Sequence, residues 1–196
     1  MNIDEPLRDL GPVPMQALQE TVLGLEDSAW VDEQYRQETY EVHRQTESLV
    51  MLFTDGKGWP DVEVHKESGW SWLAEAAMPL MAGIIEKHYS PGGVIIRAMA
   101  ARMAPGTMIR PHTDSHQSFH ASHRIHVPLA TNARVRFTIN GRPHKFEVGR
   151  AYEINNQLTH SVMNKGDAHR VHFIFDYLPP ESAAAKRARA PDLAVN

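Results

Sequence analysis

The chain has 196 residues, 42% of them hydrophobic and 22% charged, which is ordinary globular composition and enough length for one domain with a real core. A formal net charge of -4 and a pI near 6.3 argue against wholesale binding to nucleic acid or to an anionic membrane. Cysteine is absent, which excludes disulfides, a thiolate nucleophile and thiolate-ligated zinc or iron-sulfur clusters, so any metal must be held by His, Asp, Glu or main-chain oxygens.

The opening MNIDEPLRDL is acidic and lacks the basic-then-apolar pattern of a signal peptide. Residues 15–27 carry Leu18, Val22 and Leu25 at helical spacing, and SLVMLF at 48–53 reads as a short buried strand. Residues 69–88 read as the longest helix, with Trp72, Leu73, Ala76, Leu80 and Ile84 along one side and Ser90, Pro91, Gly92 and Gly93 ending it. Its most apolar part, WLAEAAMPLMAGII, is broken by Glu75 and Pro79 and is too short to span a bilayer, so a cytoplasmic protein without a membrane partner is expected.

From residue 94 the texture changes. Segments 94–103, 107–113, 122–130, 134–139, 144–148, 151–154, 159–163 and 169–177 are mostly rich in Val, Ile, Phe and Thr. Turn residues separate them: Pro105-Gly106, Asn132, Asn140-Gly141, Gly149, Asn155-Asn156 and Lys165-Gly166-Asp167. Asn140-Gly141 is the strongest, because both residues tolerate the positive φ of a type I′ hairpin. The pattern predicts a mainly β protein with flanking helices, its strands forming a sandwich or barrel. The expected layout is an N-terminal support region over 1–93, a β core over 94–178 and a C-terminal tail over 179–196. The Ala-, Lys-, Arg- and Pro-rich tail reads as a frayed end.

The stretch RPHTDSHQSFHASHRIHVPL, residues 110–129, holds five of the chain's twelve histidines around a single acid, Asp114. His112 and Asp114 are i and i+2, which on a strand share one face and can reach one ion. His160, in QLTHSVMN, is the best third ligand. Two imidazoles and one carboxylate leave half of an octahedral ion open, the arrangement of non-haem Fe(II) oxygenases. Taken alone, HxD also describes a polar turn and His160 a structural histidine. HExxH is absent, which argues against a zincin.

Arg170 follows His160 by ten residues, and a hairpin about Asn164-Lys165-Gly166-Asp167 would set it nearly opposite His160 on the adjacent strand. Val171, Phe173 and Phe175 mark the other face of that strand, so Arg170 points into the barrel. A buried guanidinium needs a carboxylate, and a dicarboxylate ligand fits the need. The alternative is a surface arginine on an edge strand. In RIHVPL, Arg124 and His126 lie opposite Ile125, Val127 and Leu129; that polar face either meets an anionic partner or faces solvent.

IRPHTD, HRIHVPL, the Asn-Gly hairpin, YEINNQLTHSVMN and HRVHFIFDY, in this order and spacing, resemble the aspartyl/asparaginyl β-hydroxylase family of Fe(II)- and 2-oxoglutarate-dependent oxygenases over residues 94–178. The resemblance implies a double-stranded β-helix (jelly-roll) barrel. It implies that His112, Asp114 and His160 ligate Fe(II) and that Arg170 binds the remote carboxylate of 2-oxoglutarate. His126 and Arg124 would help hold the cosubstrate, Arg124 alternatively facing the substrate. O2 would be the oxidant, with succinate and CO2 as coproducts. Some members have glycine where this chain has Asp114; here the triad is complete. The implied substrate is an amino acid or an Asp/Asn-type residue of a short peptide. The loop Ser115–Ser122 would border the pocket mouth, with His116, Phe119 and His120 as candidate substrate contacts. Arg102, Arg110 and Arg124 are candidate partners for a substrate carboxylate. Two other readings compete. A cupin-like Zn or Mn hydrolase or isomerase would not need Arg170, and a non-catalytic binding module would usually have lost a ligand or the anchoring arginine.

Overall fold

The computed structural model describes residues 3–31, 46–54 and 58–193. Among them the chain forms β1 (Leu7–Pro12), α1 (Gln16–Leu23), α2 (Ser28–Val31), β2 (Thr46–Phe53), β3 (His65–Lys66) and α3 (Trp70–His88). It continues with β4 (Val94–Met103), β5 (Met108–His112), α4 (Gln117–Ala121), β6 (His123–Ala130), β7 (Val135–Ile139) and β8 (Arg142–His144). The last strands are β9 (Arg150–Ile154), β10 (His160–Asn164) and β11 (Arg170–Leu178). They form two antiparallel sheets, a seven-stranded one in the order β1-β9-β6-β11-β4-β2-β3 and a four-stranded one in the order β5-β10-β7-β8. This is the expected jelly-roll architecture.

Period-two alternation divides the larger sheet into two faces. The outer face carries Ile125, Val127 and Leu129 of β6 and Val171, Phe173 and Phe175 of β11, which pack with α1 and α3 into one continuous core. The inner face meets the smaller sheet through a second cluster: Met103, Tyr152 and Ile154 against Ile109, Phe137, Ile139 and Val162, with Phe146. α3 has no side-chain cap at Gly69, and its hold on the sheet comes from Leu73, Ala77, Leu80, Met81 and Ile84. Each buried Leu or Ile contributes roughly 1.5–3 kcal/mol, more than a cap would supply. A Cβ at Gly69 would lie 2.5 Å from the Val50 carbonyl oxygen, so only glycine lets the helix start against β2.

The structure departs from expectation in five places. The buried stripe of α3 is rotated, so Trp72 is 53% exposed while Ala74 and Ala77 are buried. Segment 144–148 is not a strand; the Asn140-Gly141 turn, with φ of 49° and 73°, pairs β7 with the earlier Arg142–His144. β1 and β3 join the large sheet although neither is expected from the sequence. The tail is docked rather than frayed as far as residue 193. Ala184 is buried, Arg189 exchanges main-chain hydrogen bonds with Val62 and Val64, and Arg187 and Arg189 pair with Asp61 and Glu63. Residues 194–196 of that tail and 32–45 of the N-terminal support region lie outside the described residues.

The fifth departure matters most for function. β10 and β11 are not a hairpin: β10 pairs with β5 and β7, β11 with β4 and β6. The turn between them carries the chain from one sheet to the other. Asn164, fully buried, pins that crossing. Its side-chain amide donates to the carbonyls of Met103, Ala104 and Ala168, and its Oδ1 accepts from Gly166 and Asn132. Among the described residues no helix is long and apolar enough to cross a membrane.

Candidate metal centre and anion cavity

His160 and His112 are direct register partners across β10 and β5, with ring centroids 4.3 Å apart. Each imidazole is set by the carbonyl two residues before it. His112 Nδ1 lies 2.8 Å from the Arg110 carbonyl oxygen, and His160 Nδ1 lies 3.0 Å from that of Leu158. A carbonyl only accepts, so both Nδ1 atoms carry the proton and both Nε2 atoms present lone pairs. Asp114 follows β5, and its main-chain N–H donates to the Asn156 carbonyl across 3.1 Å. One ligand atom from each of His112, Asp114 and His160 lies within 4.8 Å of the others. Two neutral imidazoles and a carboxylate on one side suit a first-row divalent metal with open positions opposite.

The inner face of the large sheet lies across from this triad. Reading down β11, the inward residues are Asp176, Ile174, His172 and Arg170. At the first rung Asp176 is flanked by Arg124 of β6 and Arg97 of β4, its register partners on either side. Arg124 grips Asp176 with two parallel bonds, Nε to Oδ1 at 2.8 Å and Nη2 to Oδ2 at 2.9 Å. Arg97 Nη1 reaches Asp176 Oδ2 at 3.4 Å. Burial by itself would raise the Asp176 pKa; the two guanidinium groups outweigh it and hold the carboxyl below its ordinary range.

At the far rung Arg170 is only 2% exposed. Its Nη2 donates to His172 Nδ1 at 2.7 Å, Nη1 lies 3.9 Å from Met103 Sδ, and Nε has no partner. Among the described residues no carboxylate pairs with it. Burial pulls its pKa down to about 9. His126 lies between the rungs, its Nε2 buried without a partner. Burial, followed by the charges of Arg170 and Arg124, keeps that imidazole neutral. His112, His160, Arg124, His126 and Arg170 line one cavity, walled by Ile109, Phe137, Ile154, Val162 and Ile174.

The six singled-out residues are therefore brought together, though by a route the sequence does not suggest: Arg170 reaches the cavity from the opposite sheet. Arg124 also lines it, but its nitrogens are engaged by Asp176 and Asp114. Arg102 points to the outer face, where it pairs with Asp27 and Glu47 over the Trp30 ring, so it is no candidate for a substrate carboxylate. Arg110 is exposed, and His123 is tied to Glu153. In the loop, His116 caps α4 and Phe119 lies under the guanidinium groups of Arg124 and Arg97. Sequence reasoning misses His172, Asp176 and Arg97. The first two share the inward face of β11 with Arg170, and that alternation is the available signal.

Replacing Asp176 with Asn removes the carboxylate shared by two buried arginines and is expected to cost about 3–5 kcal/mol at neutral pH. The folded-state pKa lies below the unfolded value of about 3.9, so the contribution is complete above about pH 4 and fades as pH falls through the folded value. Urea unfolding from pH 7 to pH 3 checks both points, and a deficit that stays constant on acidification would reject the argument.

A sequence profile of the aspartyl/asparaginyl β-hydroxylase family matches residues 20–180. A search among curated proteins returns no match. Among solved structures, the nickel complex of ThoJ, a non-haem monooxygenase, is 15% identical with a TM-score of 0.55, over 90% of this chain and 75% of that one. Its apo form aligns over the same shares with 12% identity and a TM-score of 0.55. An oxidoreductase of the 2OG-Fe(II) oxygenase family from Burkholderia pseudomallei is 12% identical with a TM-score of 0.49, over 68% of this chain and 67% of that one. At these identities the likeness is one of fold.

Proposed function

Because the chain belongs to the aspartyl/asparaginyl β-hydroxylase family, we propose that it is an Fe(II)- and 2-oxoglutarate-dependent dioxygenase. It hydroxylates an unactivated C–H of a free amino acid or of an Asp/Asn-type peptidyl residue, releasing succinate and CO2. One observation carries the cosubstrate assignment. A guanidinium with no carboxylate partner among the described residues lines the same cavity as His112 and His160, with its Nε orphaned. An unpaired buried cation costs several kcal/mol, and such a site is worth keeping when a ligand carboxylate completes it.

Each residue then has a defined task. Nε2 of His112, Nε2 of His160 and a carboxylate oxygen of Asp114 hold the metal. The bound iron and 2-oxoglutarate together supply the dioxygen activation that the side chains cannot. Arg170 takes the remote carboxylate of 2-oxoglutarate, its planar fork matched to two oxygens. His172 accepts from Nη2 and turns the fork, and His126 borders the cosubstrate as a neutral wall. Ile109, Phe137, Ile154, Val162 and Ile174 keep water from the reacting centre. No side chain is needed as a general base, and the lack of a nucleophile-base pair in the cavity fits this chemistry.

The test is a screen with Fe(II) and 2-oxoglutarate, offering free amino acids and short Asp- or Asn-containing peptides and reading substrate-stimulated succinate. Succinate rising with one substrate class, together with a product heavier by the mass of one oxygen atom, is the expected result. Hydrolysis or isomerisation supported by Zn or Mn, with no succinate under any condition, would replace this reading with the cupin-like alternative.

A further inference from the structure

Two arginines line the cavity, and they differ in one respect. Arg170 keeps a nitrogen without a partner, whereas every nitrogen of Arg124 is committed. We infer that Arg124 is a positioning residue for the metal ligand Asp114: it occupies Asp114 Oδ2, so that Oδ1 alone is offered to the ion. The inference rests on the metal-site reading above.

Arg124 Nη1 donates to Asp114 Oδ2 at 2.6 Å, and Asn156 Nδ2 donates to the same oxygen at 3.2 Å. Oδ1 is the oxygen directed at the histidines, 3.9 Å from His112 Nε2. The main chain of Asp114 is fixed on both sides, its N–H bonded to the Asn156 carbonyl and its carbonyl accepting from Gln157 Nε2 at 3.0 Å. With one oxygen saturated by two donors, the carboxylate is set up as a one-oxygen ligand.

Arg124 is itself held from behind. Asp176 fixes its other edge through two parallel bonds from the neighbouring strand, and Arg97 backs Asp176 from the strand beyond. The Phe119 ring lies 4.4 Å from the Arg124 guanidinium carbon. Charge alternates along the row Asp114, Arg124, Asp176, Arg97 and sums to zero, so the assembly is stable without a bound ligand. Three of its five N–H groups, one on each nitrogen, are already given to Asp114 and Asp176, which fixes the plane of the guanidinium relative to both carboxylates.

Lysine keeps the charge of Arg124 but is a point donor that cannot span both carboxylates. In Arg124→Lys, the Kd for Co(II), followed by visible absorption of the apoprotein titrated with Co(II) alone, is expected to rise about 10- to 100-fold with a changed band shape. The affinity of the Co(II)-saturated variant for 2-oxoglutarate should stay within about threefold of wild type, since Arg170 is untouched. A folded variant with wild-type Co(II) affinity overturns the inference. So does a tenfold loss of 2-oxoglutarate affinity with Co(II) binding intact, which would make Arg124 a cosubstrate ligand. If the single variant does not fold, the charge-balanced Arg124→Gln/Asp176→Asn pair is titrated with Co(II) and then 2-oxoglutarate in its place, and each outcome carries the same meaning. Wild-type protein that takes up no Co(II) removes the metal-site reading and this inference together, whereas Co(II) uptake that depends on His160 but not on Arg124 overturns this inference alone.

Discussion

Arg170→Met is expected to weaken 2-oxoglutarate binding about a hundredfold and, without cosubstrate, to make the fold more stable. The first effect follows from losing two charge-assisted hydrogen bonds, each worth about 1.5–3 kcal/mol, so that about 3 kcal/mol is a conservative sum and corresponds to roughly two decades in Kd. The second follows from the absence of a protein carboxylate beside the guanidinium. Burial opposes that charge, as its lowered pKa shows, and no carboxylate among the described residues compensates it. Methionine fills similar space without charge, and relief of about 1–4 kcal/mol is expected. Calorimetric titration of metal-loaded protein and thermal unfolding of cosubstrate-free protein measure the two arms separately. The ligand-induced stabilisation of wild type should shrink in the variant, because it scales with the logarithm of ligand concentration over Kd. A variant that unfolds earlier than wild type while binding 2-oxoglutarate normally would mean that Arg170 serves the core alone.

His160→Ala is expected to abolish metal binding and turnover while leaving the fold largely intact. The loss must exceed the roughly 10- to 100-fold that follows removal of a supporting partner, since a ligand itself is gone. The structural cost is small, because among the described residues the imidazole hydrogen-bonds to the Leu158 carbonyl of the turn before β10 and to no other group. Its removal frees a carbonyl that can turn to water in the cavity, a cost of about 1 kcal/mol. Added Co(II) or Fe(II) should raise the melting temperature of wild type and leave that of the variant unchanged. Retained turnover would reject His160 as a ligand.

Much of the fold and the site is legible in the sequence because β alternation is local. The strands from β4 onward apart from β8, the inward set on β6 and the HxD pair all follow from side chains two apart on one chain. The candidate triad of His112, Asp114 and His160 can be proposed from residue types and spacing, since without cysteine few donor sets remain, and the structure brings one ligand atom of each within 4.8 Å of the others. What cannot be read is which strands are neighbours. The turn at Asn164–Asp167 has the composition of a hairpin, yet a buried asparagine makes it cross between sheets. Arg124 and Asp176, fifty-two residues apart, become partners only through the β6–β11 register. An arginine beside a cavity looks the same in sequence whether it lies without a carboxylate among the described residues, as Arg170 does, or between two, as Arg124 does. Only the location of the nearest carboxylate separates the two. Trp72 fails for a related reason: helical periodicity defines a stripe but not its rotation against the sheet.

The crossing between β10 and β11 also divides the labour of selectivity. His112 and His160 belong to the small sheet and Arg170 to the large one, so the distance between them spans the inter-sheet gap, about 10 Å in such folds. Phe137, Ile139 and Val162 against Met103, Tyr152 and Ile154 act as the spacer that keeps it. If the cavity takes a 2-oxo diacid as proposed, the length it admits is thus written into the packed interior.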